Sequence, residues 1–140
     1  MFLGLVVAGV QLFWSMPRRR HTNLTLDLNR TWESEAFIEA RLKANTIGEN
    51  LEEAMESYDK ENKREFFTLI AIPNFFEKLG ILARRKELNF DEVEDHFGEQ
   101  ISHYYRLFEP WIKAQRRITK ELYLDFEFLA MKHEQLRKST

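Results

Sequence analysis

The sequence predicts an all-α protein: a short N-terminal membrane helix followed by an antiparallel helical bundle of about four helices, one of them kinked at a proline. Residues 1–16 carry no charge, whereas the other 124 of the 140 residues carry all 44 charged side chains. In that body, apolar residues recur at helical spacing and sustained two-residue alternation of β-branched side chains is missing. These observations predict an anchor over 1–16, a basic and polar juxtamembrane segment over 17–30 and a cytoplasmic bundle over 31–136.

The N-terminal segment is followed directly by three basic residues, Arg18, Arg19 and Arg20. As a helix, residues 2–16 would span about 22 Å, somewhat less than the hydrocarbon core of about 30 Å. A cleaved signal peptide is disfavoured because its positive charges precede the apolar run. Two hypotheses stay open: a membrane anchor, or a helix in the core of a soluble domain. We expect the anchor, with Trp14 at the interface, the N-terminus outside and the arginines on the cytoplasmic side.

The first half of the body contains two predicted helical pieces. After the polar segment 22–29, a helix is expected over about 31–46, with Thr31 as its N-cap. Gly48 then breaks or bends it. The second piece is amphipathic, and its apolar face consists of Leu51, Ala54, Met55 and Tyr58.

The segment from about 61 to 82 is the most apolar part of the body. Its apolar side chains cover nearly the whole helical circumference, which is typical of the central helix of a bundle. Pro73 lies inside this helix and predicts a kink, because proline lacks the N–H that the helix needs.

Two further helices are predicted in the C-terminal half. Asn89 or Asp91 caps the first of them, whose apolar stripe includes Val93, Phe97, Ile101, Tyr104, Tyr105 and Phe108. Pro110 is expected to begin the last helix as its first residue, and that helix runs to about residue 133. It would pack through Trp111, Ile118, Leu122, Phe126, Leu129 and Ala130. The short connectors favour antiparallel neighbours.

Composition and motifs exclude several functional classes. The chain has no cysteine, so it has no disulfide, thiolate zinc site or cysteine nucleophile. A net charge of −2 disfavours a nucleic-acid partner. No serine stands in a G-x-S-x-G context, and no glycine-rich phosphate loop occurs. We therefore expect neither an enzyme nor a bound cofactor.

One helix face carries residue types that could bind a metal ion. Glu92, His96, Glu99 and His103 fall within about 60° of one another on a helix. Carboxylate and imidazole ligands on helices hold zinc or di-iron centres in some bundles. The apolar stripe of the same helix points away from them, so the four are weak candidates and we expect surface pairs. His21 and His133, in polar and basic surroundings, are expected to be solvated.

Polar residues also interrupt the most apolar helix. Asn74, Glu77 and Lys78 share one face, and a buried Glu77 would need a partner. Arg116 or Arg117 could supply it.

Short stretches of the sequence resemble a bacterial family catalogued as domain of unknown function 4760. They are NFFEKLGIL over 74–82, VEDHFG over 93–98, and Tyr104-Tyr105 followed by Pro110-Trp111-Ile112, Arg116 and FEFLA over 126–130. The resemblance implies a hydrophobic N-terminal segment followed by about 120 helical residues, with no established activity. It marks Asn74, Glu77, Trp111 and Arg116 as signature positions and implies that Asn74 and Glu77 bond to Arg116. Pro73 before Asn74 departs from the family pattern.

The predicted function is an interaction or scaffolding module, held at the cytoplasmic face by a single-pass anchor. Its expected partners are the lipid bilayer, through residues 2–16, and a protein or a second copy of the chain. The alternatives are a metal-binding protein or enzyme that uses the Glu92, His96, Glu99 and His103 face, and a soluble helical domain with residues 2–16 in its core.

Overall fold

The computed structural model describes residues 21–139, and this part of the chain is helical with short connections. The predicted anchor, with Trp14, Arg18, Arg19 and Arg20, lies outside the described residues, and so does the side chain of His21. Within residues 21–139, six α-helices and the 3-10 turn Gly48–Asn50 follow in order. The α-helices are α1 (His21–Trp32), α2 (Glu35–Ile47), α3 (Leu51–Glu61), α4 (Lys63–Arg84), α5 (Phe90–Gln115) and α6 (Leu124–Ser139). The all-α bundle predicted from the sequence is confirmed.

The most apolar segment forms α4, the central helix. It packs against α2, α3, α5 and α6. Within the described part of the chain, α4 alone is long and apolar enough to cross a membrane, judged by length and composition. In the bundle, 61% of its most apolar stretch is buried. The contacts with four other helices account for this burial and make α4 the core helix of the domain.

Both ends of α4 lie close to the predicted limits. The helix begins after Asn62, whose side chain accepts a hydrogen bond from the backbone N–H of Glu65 at 3.4 Å. It continues through the buried Pro73 as one element. The kink at Pro73 stays a prediction.

The N-terminal half of the bundle begins earlier than the sequence pattern indicated. The segment 22–29 is helical within α1, because Thr25, Leu28 and Trp32 form a buried face at spacings of three and four residues. A helix start at Thr31 is therefore wrong: α2 begins at Glu35, after the extended Ser34. The predicted break at Gly48 is confirmed, since this glycine ends α2 with a φ of 61°.

The C-terminal half also differs from the prediction, since no helix begins at Pro110. α5 passes through Pro110 without a restart, and the chain turns instead over 116–123, where Tyr123 has a φ of 57°. Burial of Phe108, Trp111 and Ile112 on both sides of the proline offsets the one backbone hydrogen bond that it cannot donate. Ile118, expected in the core, lies in this turn and is 86% exposed.

An aromatic cluster joins the helices at the centre of the bundle. The Trp32 ring lies 5.0 Å from Phe76 and 6.4 Å from Phe97, measured between centroids. Phe76 stacks on Phe126 at 5.1 Å. These contacts connect α1, α4, α5 and α6 and form a core from the described helices.

Candidate functional site

Polar side chains enter the apolar interior where α6 begins. We call this group the junction cluster: Asn74 and Glu77 from α4, Arg116 and Tyr123 from the 116–123 turn, and Glu127 from α6. Because positions 74 and 77 are one turn apart, α4 presents both side chains to the same segment. The cluster therefore brings together all three residues of the polar network predicted from the sequence.

The two α4 residues hold the start of α6 by different bonds. The Tyr123 hydroxyl donates to Asn74 Oδ1 at 2.6 Å. The backbone N–H of Phe126 donates to Glu77 Oε1 at 2.8 Å. The first N–H groups of a helix have no partner inside that helix. Glu77 therefore caps α6 from a neighbouring helix, 49 residues away in sequence.

Arg116 reaches the same segment from its other side. Its Nε donates to the carbonyl oxygen of Leu122 at 2.8 Å, and its Nη1 donates to Glu127 Oε1 at 3.2 Å. The Tyr105 hydroxyl donates to Glu127 Oε2 at 3.2 Å. Asn74 and Glu77 bond to Tyr123 and Phe126, not to Arg116 as the resemblance implied. Arg116 Nη2 is buried without a hydrogen-bond partner.

A glycine permits the close approach of α4 and α6 beside this cluster. A Cβ atom at Gly80 would lie 2.4 Å from the carbonyl oxygen of Asp125, far inside van der Waals contact. Arg84, one turn further along α4, pairs with the Asp125 carboxylate at 2.7 Å. Three successive turns of α4 thus hold this segment: Asn74 contacts Tyr123 just before α6, and Glu77 and Gly80 contact the first turn of α6.

The four side chains on α5 that were weak candidates for a metal site do not converge on one point. Glu92 accepts a hydrogen bond from Thr25 at 2.9 Å, and His103 Nε2 lies 2.7 Å from Asn45 Oδ1. His96 Nδ1 lies 3.1 Å from the Glu92 carbonyl oxygen, and the Glu99 side chain is 88% exposed. Within the described residues, no group of three or more histidine and acidic side chains could hold a metal ion.

His133 is buried, so the expectation that it is solvated is wrong. It is 6% exposed and its Nδ1 hydrogen-bonds with Glu94 Oε1 on α5. Gly98 lies against this pair, since a Cβ atom there would be 2.7 Å from Glu94 Oε1. The sequence held a signal for this burial: His133 stands four residues after Leu129 and seven after Phe126, both on the buried face of α6.

Residues 1–133 match the family model described as Domain of unknown function (DUF4760). The chain belongs to this family. Neither the curated proteins nor the solved structures give a significant match to it. The DUF4760 match contains the whole junction cluster and also the uncharged segment 1–16. The resemblance observed in the sequence is thereby confirmed.

Burial controls the electrostatics of the DUF4760 junction cluster. Glu77 is 7% exposed, and burial raises its pKa to about 7. The hydrogen bond from the Phe126 N–H lowers the pKa of Glu77, whereas the nearby Asp125 carboxylate raises it. Burial also raises the pKa of Tyr123 well above its usual value and lowers the pKa of the half-buried Lys78. Glu77 therefore changes its charge near neutral pH while it holds a helix end.

The bonds of the junction cluster connect parts of the DUF4760 chain to one another. Glu77 and Asn74 hold α6 from α4, and Arg116 joins the Leu122 carbonyl to Glu127. Such an arrangement fixes a helix crossing, and its buried carboxyl group, Glu77, has a pKa raised to about 7. It is a structural network that contains one buried carboxyl group, that of Glu77.

Proposed function

We propose that this DUF4760 chain is a membrane-anchored interaction module whose helical bundle lies at the cytoplasmic face. The single observation that carries the proposal is the charge pattern at the N-terminus. Residues 1–16 have no charge, and Arg18, Arg19 and Arg20 follow at once. Basic residues beside an apolar segment favour retention of that flank on the cytoplasmic side.

The bundle supports this proposal because its core forms among residues 24–139. Trp111, Phe97 and Phe126 are each at most 1% exposed. Ring contacts between described helices bury these side chains, as in the Phe66–Trp111 pair at 6.1 Å and the Tyr105–Phe126 pair at 5.1 Å. A core built from these residues is what an anchored domain requires, and it supports our proposal that residues 2–16 enter the bilayer.

Exposed apolar side chains support the interaction role. On α2, Ile38 and Leu42 are one turn apart and are 40% and 64% exposed. On α6, Leu124, Phe128 and Met131 follow one another at four and three residues and are 38–58% exposed. Anchoring confines such surfaces to the membrane plane, which raises their effective concentration toward any other membrane protein.

Fractionation of the full chain and of a truncated chain that starts at Arg18 tests the anchor. We expect the full chain to remain in membranes after an alkaline carbonate wash, and the truncated chain to be soluble with its helical circular dichroism intact. A full-length Leu5→Arg/Val7→Arg variant is the matched control, because it places two charges in the apolar segment without shortening the chain. Aggregation of the truncated chain would show instead that residues 2–16 belong to the core.

Crosslinking in membranes tests the interaction role. A photoreactive group placed at Leu42 or Met131 should give a defined adduct with one protein or with a second copy of the chain. The same group at Ile118, exposed on the 116–123 turn, is the control for non-specific capture. Identical adduct patterns at all three positions would contradict the interaction role.

A further inference from the structure

The junction cluster contains a hydrogen-bond donor without an acceptor. Two of the three guanidinium nitrogens of Arg116 are bonded, Nε to the Leu122 carbonyl oxygen and Nη1 to Glu127. The third nitrogen, Nη2, is buried and has no hydrogen-bond partner among the described residues. A buried N–H group without an acceptor costs free energy, because it has lost its hydrogen bond to water. The network therefore holds an unused donor in the interior of the bundle.

An ionisable carboxyl group holds the same short segment of the chain. Glu77 accepts the N–H of Phe126, four residues after the Leu122 carbonyl that Arg116 holds. The Glu77 side chain is buried, and this burial raises its pKa to about 7. The charge of Arg116 lowers the pKa of Glu77, so the two groups are close enough for their charges to interact.

Charged and titratable side chains lie around Glu77 on α4, on α6 and in the 116–123 turn. Asp125 on α6 raises the pKa of Glu77, but Arg84 already bonds both oxygens of this carboxylate, at 2.7 and 3.5 Å. Tyr123 in the turn keeps its proton near neutral pH, because burial raises its pKa well above the usual value. Arg84 is exposed and paired, whereas Arg116 has a buried donor to spare.

The remaining polar groups of this region are engaged or point elsewhere. Glu127 on α6 accepts from Arg116 Nη1 and from the hydroxyl of Tyr105 on α5, which carries no charge near neutral pH. Lys78 follows Glu77 in α4, and consecutive residues of a helix do not face each other. Within the described residues, Arg116 is therefore the cation best placed to pair with an ionised Glu77.

We propose that ionisation of Glu77 brings Arg116 Nη2 into a hydrogen bond with the Glu77 carboxylate, so that the junction cluster has two bonding patterns, one on each side of neutral pH. In the first, protonated Glu77 accepts the Phe126 N–H and Nη2 stays unused. In the second, Glu77 has given its proton to solvent, and its buried charge needs a partner. Nη2 supplies that partner while Nε and Nη1 keep their bonds.

This exchange is a pH-sensitive device built into the fold. In the ionised pattern, α4 is bonded to the 116–123 turn through Arg116 as well as to α6 through Phe126. In the protonated pattern, the bond to Phe126 remains and the bond to Arg116 is absent. The proposal does not depend on the anchor proposed above, because it concerns contacts within the bundle.

Hydrogen exchange of the guanidinium group tests the proposal on the natural, full-length chain. NMR of the isotope-labelled chain in detergent micelles measures the protection of the Arg116 side-chain hydrogens at about pH 5.5 and about pH 8.5, on either side of the Glu77 pKa. The exposed Arg117 corrects for the general acceleration of exchange with pH. We expect the protection of Arg116 relative to Arg117 to rise about tenfold or more, the effect of a hydrogen bond to a charged group. Unchanged relative protection would overturn the proposal.

Glu77→Gln separates this exchange from other effects of pH. Glutamine keeps an oxygen for the Phe126 N–H but cannot ionise, so we expect the relative protection of Arg116 to be equal at both pH values. The matched control is Glu134→Gln, which removes a surface carboxylate bonded to Arg137 and should leave the natural pH response intact. A pH response of Arg116 that persists in Glu77→Gln would overturn the role of Glu77.

The reciprocal measurement follows the Glu77 carboxyl group by carbon NMR. Arg116→Gln removes the proposed partner, and we expect the midpoint of the Glu77 titration to rise by about one pH unit, because a nearby opposite charge favours the carboxylate. Arg117→Gln is the matched control and should leave the midpoint unaltered. An unaltered midpoint in Arg116→Gln would overturn the proposal. If Arg116→Gln does not fold, hydrogen exchange of the natural chain still decides the question.

Discussion

The two ends of α6 are attached to the bundle by different chemistry. At its start, a buried carboxylate from α4 accepts a backbone N–H of α6, and Gly80 lets the two backbones approach. Toward its C-terminus, the side chain of His133 bonds to the side chain of Glu94, and Gly98 makes room for that pair. The first attachment uses the α6 backbone, whereas the second uses only side chains.

This difference determines how each attachment tolerates change. A helix backbone cannot shift locally without moving its whole first turn, so the contacts of Gly80 and Glu77 are rigid. The side chains of Glu94 and His133 can adopt other rotamers at smaller cost. We therefore expect substitutions at the start of α6 to reduce the free energy of unfolding more than equivalent substitutions near its C-terminus.

The largest expected effect is the pH dependence contributed by Glu77. Its folded pKa of about 7 lies above the ordinary value of 4.5, because burial penalises the carboxylate. The contribution of Glu77 to the free energy of unfolding is complete below pH 4.5. It is lost as the pH rises through 7, and the total loss is roughly 3 kcal/mol. Glu77→Gln stays neutral and keeps an oxygen for the Phe126 N–H. We expect the stability of the variant relative to the natural chain to rise by that amount between pH 4.5 and 8.

Chemical denaturation at several pH values measures this difference. Glu134→Gln is the control. Glu134 pairs with Arg137 at the surface, and this pair lowers its pKa, so Glu134 has no raised pKa that would make the stability difference change as Glu77 does. A constant difference between Glu77→Gln and the natural chain at all pH values would contradict the proposed titration of Glu77.

The second effect tests the backbone contact at Gly80. Gly80→Ala places a Cβ atom 2.4 Å from the Asp125 carbonyl oxygen and 2.8 Å from its carbonyl carbon. Because the obstacle is backbone, the start of α6 must move, and overpacking of this kind costs about 2–3 kcal/mol. Thermal unfolding followed by circular dichroism should show a lower midpoint for the variant. An unchanged or raised midpoint would mean that α6 is free to move away from α4.

The third effect is the equivalent substitution at the other end of α6. Gly98→Ala meets Glu94 Oε1 at 2.7 Å and His133 Nδ1 at 3.1 Å, both of which are side-chain atoms. We expect a loss of about 1 kcal/mol, because rotamer changes relieve part of the overlap and alanine favours the helix. The same unfolding assay compares it with Gly80→Ala. A larger loss for Gly98→Ala than for Gly80→Ala would reverse the contrast between the two ends.

The sequence predicted the local features of this fold better than its long-range contacts. Helical periodicity, the break at Gly48 and a cap at Asn89 or Asp91 depend on neighbouring residues. The first two are confirmed, and the structure places the cap at Asn89. The continuation of α5 through Pro110 was not predicted, because the burial on either side that offsets the lost hydrogen bond depends on other helices.

The hydrogen-bond partners in the junction cluster were also not predictable from local sequence. Periodicity placed Asn74 and Glu77 on one face, and the family resemblance singled out Arg116. Their true partners, Tyr123 and Phe126, are 49 residues away in the chain. Tyr123 has a positive φ that no local pattern signalled, and the N–H that Glu77 accepts exists only because α6 begins there.

The smallest expected effect concerns the Tyr123–Asn74 hydrogen bond, a side-chain bond that lies beside the backbone contacts of Glu77 and Gly80 at the start of α6. Tyr123→Phe removes the hydroxyl that donates to Asn74 Oδ1 and leaves the aromatic ring in place. Asn74 is half-buried, so water can replace part of the lost bond, and we expect a loss of about 1 kcal/mol.

Tyr105→Phe is the matched control: its hydroxyl donates to Glu127 at 3.2 Å, but Glu127 keeps Arg116 as a partner. The control should therefore cost less than Tyr123→Phe. A Tyr123→Phe loss as large as that of Gly80→Ala would show that side-chain bonds, and not the backbone approach, hold the start of α6.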